Sequence, residues 1–287
     1  MEIQSVNVCG GGLMGLGIGQ HLAQQGYPVT VMDQDPAALE RGLARVRENL
    51  EGQVKRGRMD SAAVEAALGR LTTTTSLEAI VDADMIIEAV VENIDVKKEL
   101  FGQLDRLCPE RTILATNTSI LSPTEIGAAT TRPERTIGMH WMNPAPIMRL
   151  IEVTAGQETS EETLQAVMEY SRRINKVPVR VNEAPGGIVS RVLNAMRGAA
   201  VDILAEGVAT AEDIDTAMKL GAGFPMGPFE LLDLVGVDLA VINADRLWSE
   251  LGEKYRPNPL LRKMVRAGRL GRKVGRGFYS YATPKPS

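Results

Sequence analysis

Residues 6–15, Val6-Asn7-Val8-Cys9-Gly10-Gly11-Gly12-Leu13-Met14-Gly15, join a short β-branched run to a glycine cluster that opens onto a helical pattern. Val6 to Cys9 reads as a strand and Leu13 to Gly26 as a helix, the context in which a Gly-x-Gly-x-x-Gly fingerprint binds a dinucleotide. Gly10 permits the tight turn, Gly12 lets the backbone approach a pyrophosphate, and Gly15 allows close packing of helix on strand. The helix N-terminus then faces the phosphate charge. A second strand, Val29 to Asp33, ends on an acid about twenty residues on, where a carboxylate bonds both ribose hydroxyls and repels a 2′-phosphate. Gly10, Gly11, Gly12, Leu13, Met14, Gly15 and Asp33 are therefore expected to bind a cofactor, NAD rather than NADP.

The same strand and helix alternation continues outward. Pro36 stands where a helix begins, and Leu39, Leu43, Val46, Leu50 and Val54 recur at spacings of three and four as far as Gly57. Arg41, Arg45, Arg47, Lys55, Arg56 and Arg58 are interleaved with Glu40, Glu48 and Glu51 on this helix, a salt-laced surface or an anion contact. Further strands are expected at Leu71 to Thr74, Met85 to Val90, Thr112 to Thr116, Thr136 to Trp141, Met148 to Thr154 and Val177 to Val181. Asn143-Pro144-Ala145-Pro146 forbids helix between two of these, so they are expected to be neighbours. The pattern predicts an α/β fold with a mostly parallel sheet.

After Glu183-Ala184-Pro185-Gly186-Gly187 no convincing strand follows before the extreme C-terminus. Helical periodicity runs through Ile188 to Glu206 and Ala211 to Leu220, breaks over Gly221 to Gly227, and resumes over Pro228 to Leu251. Residues 1–183 are thus read as a nucleotide-binding domain and 184–287 as an all-α domain whose generous apolar faces predict a homodimer.

The 287 residues exceed what one core organises efficiently, which agrees with two domains. With 44% hydrophobic, 24% charged and 4% aromatic residues, the chain suits aliphatic strands under Ala-rich helices. A net charge of -4 argues against nucleic acid as a partner. No apolar run approaches the roughly 18 to 20 residues that span a bilayer, and the N-terminus opens straight into a strand, so no membrane partner and a cytoplasmic location are expected. Cys9 and Cys108 are expected to be small buried hydrophobes, and with His21 and His140 the only histidines no metal site is expected.

His140 closes its strand at the edge where doubly wound sheets collect ligands. A dehydrogenase needs a base that takes a hydroxyl proton near neutral pH, and histidine is the usual choice. The rival, His21, falls among glutamines on what reads as a polar face of the first helix. Glu152 interrupts the apolar run Leu150-Ile151-Glu152-Val153, where a carboxylate is costly unless paired. If the two strands adjoin, Glu152 meets the His140 ring, sets its tautomer and stabilises the imidazolium; a rim carboxylate facing water is the alternative.

Taken together the chain resembles the 3-hydroxyacyl-CoA dehydrogenase family, including its 3-hydroxybutyryl-CoA dehydrogenases, over nearly its whole length. The residues that carry the resemblance are Gly10 to Gly15, Glu88-Ala89-Val90-Val91-Glu92-Asn93, Asn117-Thr118-Ser119, His140 to Pro146, Glu152, Glu212-Asp213-Ile214-Asp215, Pro225 to Leu231 and Gly275-Arg276-Gly277-Phe278-Tyr279. It implies a Rossmann-like NAD-binding domain, a helical domain that dimerises, a cleft between them, and NAD-linked interconversion of a short-chain (S)-3-hydroxyacyl-CoA with its 3-keto form. His140 matches the catalytic base and Glu152 its orienting acid, with Ser119 and Asn143 in the catalytic set. Asp33, Ala89, Glu92, Lys97, Asn117, Ser119, Asn143 and Lys273 match cofactor positions. Asn49, Arg56, Ser119, Asn143 and Ser190 match positions that contact the acyl-CoA substrate.

The chain departs from the family pattern at several places. Ile120 stands where many members have a second serine, Gly187 and Ser190 where they have Phe and Asn, Asn49 where animal enzymes have serine, and Trp141-Met142 where an aromatic pair is common. A serine at 190 is shorter than asparagine and has a single hydroxyl, so acyl preference is expected to shift. Two other functions share the pattern: a dehydrogenase of a free hydroxy acid of the L-gulonate or carnitine type, and a non-catalytic, crystallin-like NAD-binding protein.

Overall fold

Short apolar runs become the strands Val6–Cys9 (β1), Val29–Met32 (β2), Leu71–Thr74 (β3), Met85–Glu88 (β4), Ile113–Thr116 (β5), Thr136–Trp141 (β6), Leu150–Ala155 (β7) and Val177–Asn182 (β8). The computed structural model describes residues 2–281, which fall into two units, 2–184 and 185–281. In the first unit the strands form one sheet in the order β3-β2-β1-β4-β5-β6-β7-β8. Every neighbouring pair is parallel except β6 and β7, which run antiparallel with His140 directly opposite Glu152.

Between the strands run Leu13–Gln24 (α1), Pro36–Lys55 (α2), Ser61–Arg70 (α3), Ile94–Leu107 (α4), Pro123–Gly127 (α5) and Glu161–Arg173 (α6). Their starts are chemically marked. Asp35 accepts from the Ala37 N–H ahead of Pro36, Asn93 from Asp95 and Val96, and Ser160 from Thr163, each satisfying an amide with no intrahelical partner. Along α2 the apolar spacing buries Leu39, Val46 and Leu50, while the arginines stay outside; Arg41 pairs with the capping Asp35 at 3.4 Å.

Two cores cover the two faces of the sheet. One joins Val8, Val31, Ile87, Met139 and Trp141 to Leu16, Ile18 and Leu22 of α1 and Leu164, Val167 and Tyr170 of α6. The other joins Cys9, Met32, Ile86 and Leu114 to Phe101 and Leu104 of α4 and to Leu121 and Ile126 around α5. Because side chains alternate along a strand, Trp141 faces α1 and α6 while His140 faces the opposite way. Cys9 and Cys108 are buried and free; burial pushes their thiols up to about 12 and about 11.

The second unit is helical: Val189–Ala205 (α7), Ala211–Gly221 (α8), Pro228–Val235 (α9), Val237–Leu251 (α10) and Pro259–Arg266 (α11). The single helical pattern expected over Pro228 to Leu251 is two helices, broken at Gly236, whose φ of 108° ends α9 and which a side chain would strain. Apolar periodicity continues across this break, which is why the pattern conceals it. Two buried aspartates organise the unit. Asp215 accepts from the N–H groups of Phe229 and Glu230 and from the Tyr279 hydroxyl; Asp233 accepts from the N–H groups of Phe278 and Tyr279. Among the described residues no helix is long and apolar enough to cross a membrane.

Gly15 sets the distance between α1 and β1: a Cβ there would lie 1.8 Å from the Gly10 carbonyl oxygen. Gly15→Ala is expected to cost about 2 kcal/mol or more, the scale of an overpacked core, and to lower the midpoint of urea unfolding accordingly. An unchanged midpoint would show that the helix can ride further from the strand at no cost.

Candidate active site

The strands β1, β4, β5 and β6 are parallel, so their C-terminal ends share one edge of the sheet. Crossovers lead away from β1 on one side and from β4 on the other, which leaves a crevice between them. A cavity of about 660 Å³ occupies this place, lined by Gly10, Gly12, Leu13, Met14, Asp33 and Ala89 among others. The N–H of Gly11 donates to Asp33 Oδ2 at 2.6 Å and that of Asp35 to Oδ1 at 2.9 Å, so the glycine turn itself holds the carboxylate at the wall. Helix α1 begins there with no capping side chain and no acid in its first turn, and nothing lies within 4 Å of where a Gly12 Cβ would stand. Free amides for an anion, beside a carboxylate for hydroxyls, fit a pyrophosphate and an unphosphorylated ribose.

Beside this cavity a buried charge network holds the ends of β4 and β5. Glu88 and Lys97 are both 0% exposed, with Lys97 Nζ 2.6 Å from Glu88 Oε1 and 3.2 Å from Glu92 Oε2. Glu88 also accepts from Thr116 Oγ1 at 2.6 Å and from the Val90 N–H at 2.7 Å. Glu92 accepts from Thr118 Oγ1 at 2.5 Å and from the Ser119 N–H at 3.0 Å. The loop that carries Asn117, Thr118 and Ser119 is thus tied through one ammonium to the floor of the sheet. Asn117 extends the tie: its N–H donates to the Glu88 carbonyl, and its Oδ1 accepts from the Trp141 N–H at 2.8 Å.

Next to that bond stands His140. Its Nδ1 lies 3.1 Å from Glu152 Oε2, and Glu152 is buried. The antiparallel register produces the contact, since residues directly opposite across such a pair carry their side chains on the same face. Asn143 follows in the exposed connection to β7, after which a cis bond leads into Pro144. Asn49 is exposed on α2 and Arg56 is exposed at its C-cap seven residues on, with the Arg56 guanidinium folded along Gly52. Ser190 and Lys273 belong to the second unit; the Ser190 carbonyl accepts from Asn194, and Lys273 pairs with Asp238 at 2.6 Å.

His21 differs from expectation. It does not lie on a polar face: it is 5% exposed, its Nε2 is 2.8 Å from the Ile174 carbonyl, and its ring meets Trp141 edge-on at 5.6 Å. The neighbouring glutamines suggested solvent, but the helix turns His21 toward α6. Burial, and then the charge of Lys176, push its pKa down from 6.5 to about 4. Glu88, Thr118 and Lys176 escaped the sequence reading as working parts. An acid closing the apolar run Met85-Ile86-Ile87-Glu88 was a usable signal for the first; nothing local marks Lys176.

Comparison with known proteins points to one family. Residues 5–184 match the family model described as 3-hydroxyacyl-CoA dehydrogenase, NAD binding domain, and residues 186–281 the model described as 3-hydroxyacyl-CoA dehydrogenase, C-terminal domain. The chain is similar to the 3-hydroxybutyryl-CoA dehydrogenase of Clostridioides difficile, with 49% identity over 96% of this chain and 98% of that one. It is also similar to the probable 3-hydroxybutyryl-CoA dehydrogenase of Bacillus subtilis, with 47% identity over 98% of each. Among solved structures, (S)-3-hydroxybutyryl-CoA dehydrogenase PaaH1 from Ralstonia eutropha superposes with a TM-score of 0.93 at 40% identity, covering 98% of this chain and 100% of that one.

Two measurements follow from the buried charges. Lys97→Met strands Glu88 without its cation and should cost about 3 to 5 kcal/mol in urea unfolding, most of it restored by adding Glu88→Gln; equal losses in the single and double variants would mean that packing, not charge, is at stake. For His21, the unfolded chain takes up a proton below about 6.5 that the folded protein refuses until about 4. Its share of stability is therefore intact above that window and falls as the pH drops through it, by up to roughly 3 kcal/mol. The difference in unfolding free energy between pH 7 and pH 5 should shrink in His21→Leu; an unaltered difference would contradict this origin.

Proposed function

Because the chain belongs to the 3-hydroxyacyl-CoA dehydrogenase family, we propose that it interconverts (S)-3-hydroxybutyryl-CoA and acetoacetyl-CoA. NAD, when bound, supplies the two-electron acceptor for the carbinol carbon. Gly10 to Gly15 and Ala89 would receive its pyrophosphate side, Asp33 its ribose hydroxyls, and Asn117, Ser119, Asn143 and Lys273 would complete the contacts. Glu92 and Lys97, paired at 3.2 Å beside the Ser119 loop, would join them on the cofactor side.

The observation that carries the reading is the 3.1 Å contact of His140 with Glu152. An ionised carboxylate only accepts hydrogen bonds, so Nδ1 carries the proton and Nε2 keeps its lone pair for the substrate hydroxyl. When Nε2 takes that proton, the buried Glu152 stabilises the imidazolium; in the reverse direction the imidazolium returns the proton to the ketone oxygen. Ser119, held by Glu92, and Asn143 bond the oxygens of the acyl group, while Asn49, Arg56 and Ser190 take the rest of the acyl-CoA. We further infer a cytoplasmic homodimer joined through the helical unit. Exposed Leu239 and Ile242 of α10 and Ile203 of α7 support it as apolar surface in need of cover.

Steady-state NADH oxidation with acetoacetyl-CoA tests the assignment. His140→Ala is expected to lower kcat by about 10²- to 10⁴-fold, the usual share of a general base, with NADH affinity retained. Turnover of free hydroxy acids but not of their CoA thioesters would transfer the site to the first alternative substrate class. NADH binding with no turnover on either panel would leave a non-catalytic binding protein.

A further inference from the structure

We propose that Lys176 is a positioning residue for this site: its ammonium clamps the connection between β6 and β7 from the face of the sheet opposite His140, and so fixes Asn143. The proposal rests on the dehydrogenase reading above for its kinetic consequence, but the clamp itself is a property of the fold.

Lys176 stands between α6 and β8, directly after Asn175, whose φ of 58° turns the chain, and its N–H donates to the Ser171 carbonyl at 2.9 Å. The side chain runs inward and is only 4% exposed. Its Nζ donates to the Ala145 carbonyl at 2.6 Å and to the Met148 carbonyl at 2.7 Å, and lies 5.2 Å from the centre of the Trp141 ring. One cation therefore touches the last residue of β6 and two points of the segment that leads to β7. Both carbonyls belong to irregular backbone, where no ladder partner would otherwise satisfy them. Asn143 lies between Trp141 and Ala145, so the clamp grips the chain on either side of it.

Among the described residues no carboxylate pairs with Lys176, which is unusual for a buried ammonium. Its neighbours are dipoles and rings: the two carbonyls, the indole, and His21, whose own ring meets the far side of the cluster edge-on against Trp141. Burial lowers the Lys176 pKa from 10.5 to about 8. A group kept there at such expense, with two short bonds to one loop, fits a demand for a rigid loop rather than for folding energy. Lysine meets the geometry because its N–H donors radiate from one nitrogen to both carbonyls, and the indole face accepts the charge left over.

The clamp predicts a particular kinetic pattern. A catalytic loop that drifts by an ångström loses reaction geometry far more than ground-state affinity. Lys176→Met should lower kcat with acetoacetyl-CoA by about tenfold or more while KM and the NADH dissociation constant stay within about twofold. Lys176→Arg, which keeps donors and charge, should recover most of kcat. Amide hydrogen exchange on the whole protein gives a reading independent of turnover: segment 143–149 should exchange faster in Lys176→Met, with the β1 to β5 amides unaltered. Wild-type kcat in Lys176→Met, equal loss in the Met and Arg variants, or exchange that rises throughout the sheet would each overturn the proposal. A wild-type protein inactive on acetoacetyl-CoA would instead sink the function assigned above, and exchange over segment 143–149 would still decide the clamp.

Discussion

The reversal of chain direction between β6 and β7 is the constraint on which the site depends. Six strands run one way, and had the seventh run parallel, its start would lie at the far edge of the sheet. Turning back at once brings residue 152, near the beginning of β7, level with residue 140, near the end of β6. The proline-rich connection enforces that turn by excluding helix. A buried carboxylate and a histidine then share one face at hydrogen-bond distance, and neither has to reach: the ladder hydrogen bonds hold both.

Around that pair the first unit stiffens its catalytic edge from two sides. On the α4 and α5 side, the buried pair of Glu88 and Lys97 reaches out to the exposed Glu92, which grips the Thr118 hydroxyl and the Ser119 amide. A pair so deeply buried contributes little net stability over an apolar substitute, because desolvation cancels most of the attraction. What it supplies is a unique arrangement, since any displacement of Lys97 would leave Glu88 buried without its cation. On the α1 and α6 side, Trp141, Lys176 and His21 form a second cluster in which rings and carbonyls surround the charge.

The two sides are coupled through the strand between them. The Trp141 N–H donates to Asn117 Oδ1, which links β6 to the loop held by Glu92, while the indole of the same residue rests against Lys176 and His21. The position after the histidine is thus a joint between both supports. An indole there offers a broad π face to the ammonium as well as bulk to the core, which gives a physical reason for tryptophan at this position.

The glycine turn, Asp33, the alternating strands and helices, and the pairing of His140 with Glu152 were all legible in the chain, because each is encoded within a few residues or in the period of apolar side chains. The break at Gly236 was not, since the apolar period continues across it, and His21 was misjudged because glutamine neighbours say nothing about what packs over a helix from a distant element. Glu88 stood out only as an acid at the end of an apolar run, and Lys176 did not stand out at all. Local sequence thus determined which elements form, where they turn and which residue types could do chemistry. Tertiary structure alone decided which charges are dry and what they grip, because burial and hydrogen-bond partners come from segments dozens of residues away, whose approach no local pattern records.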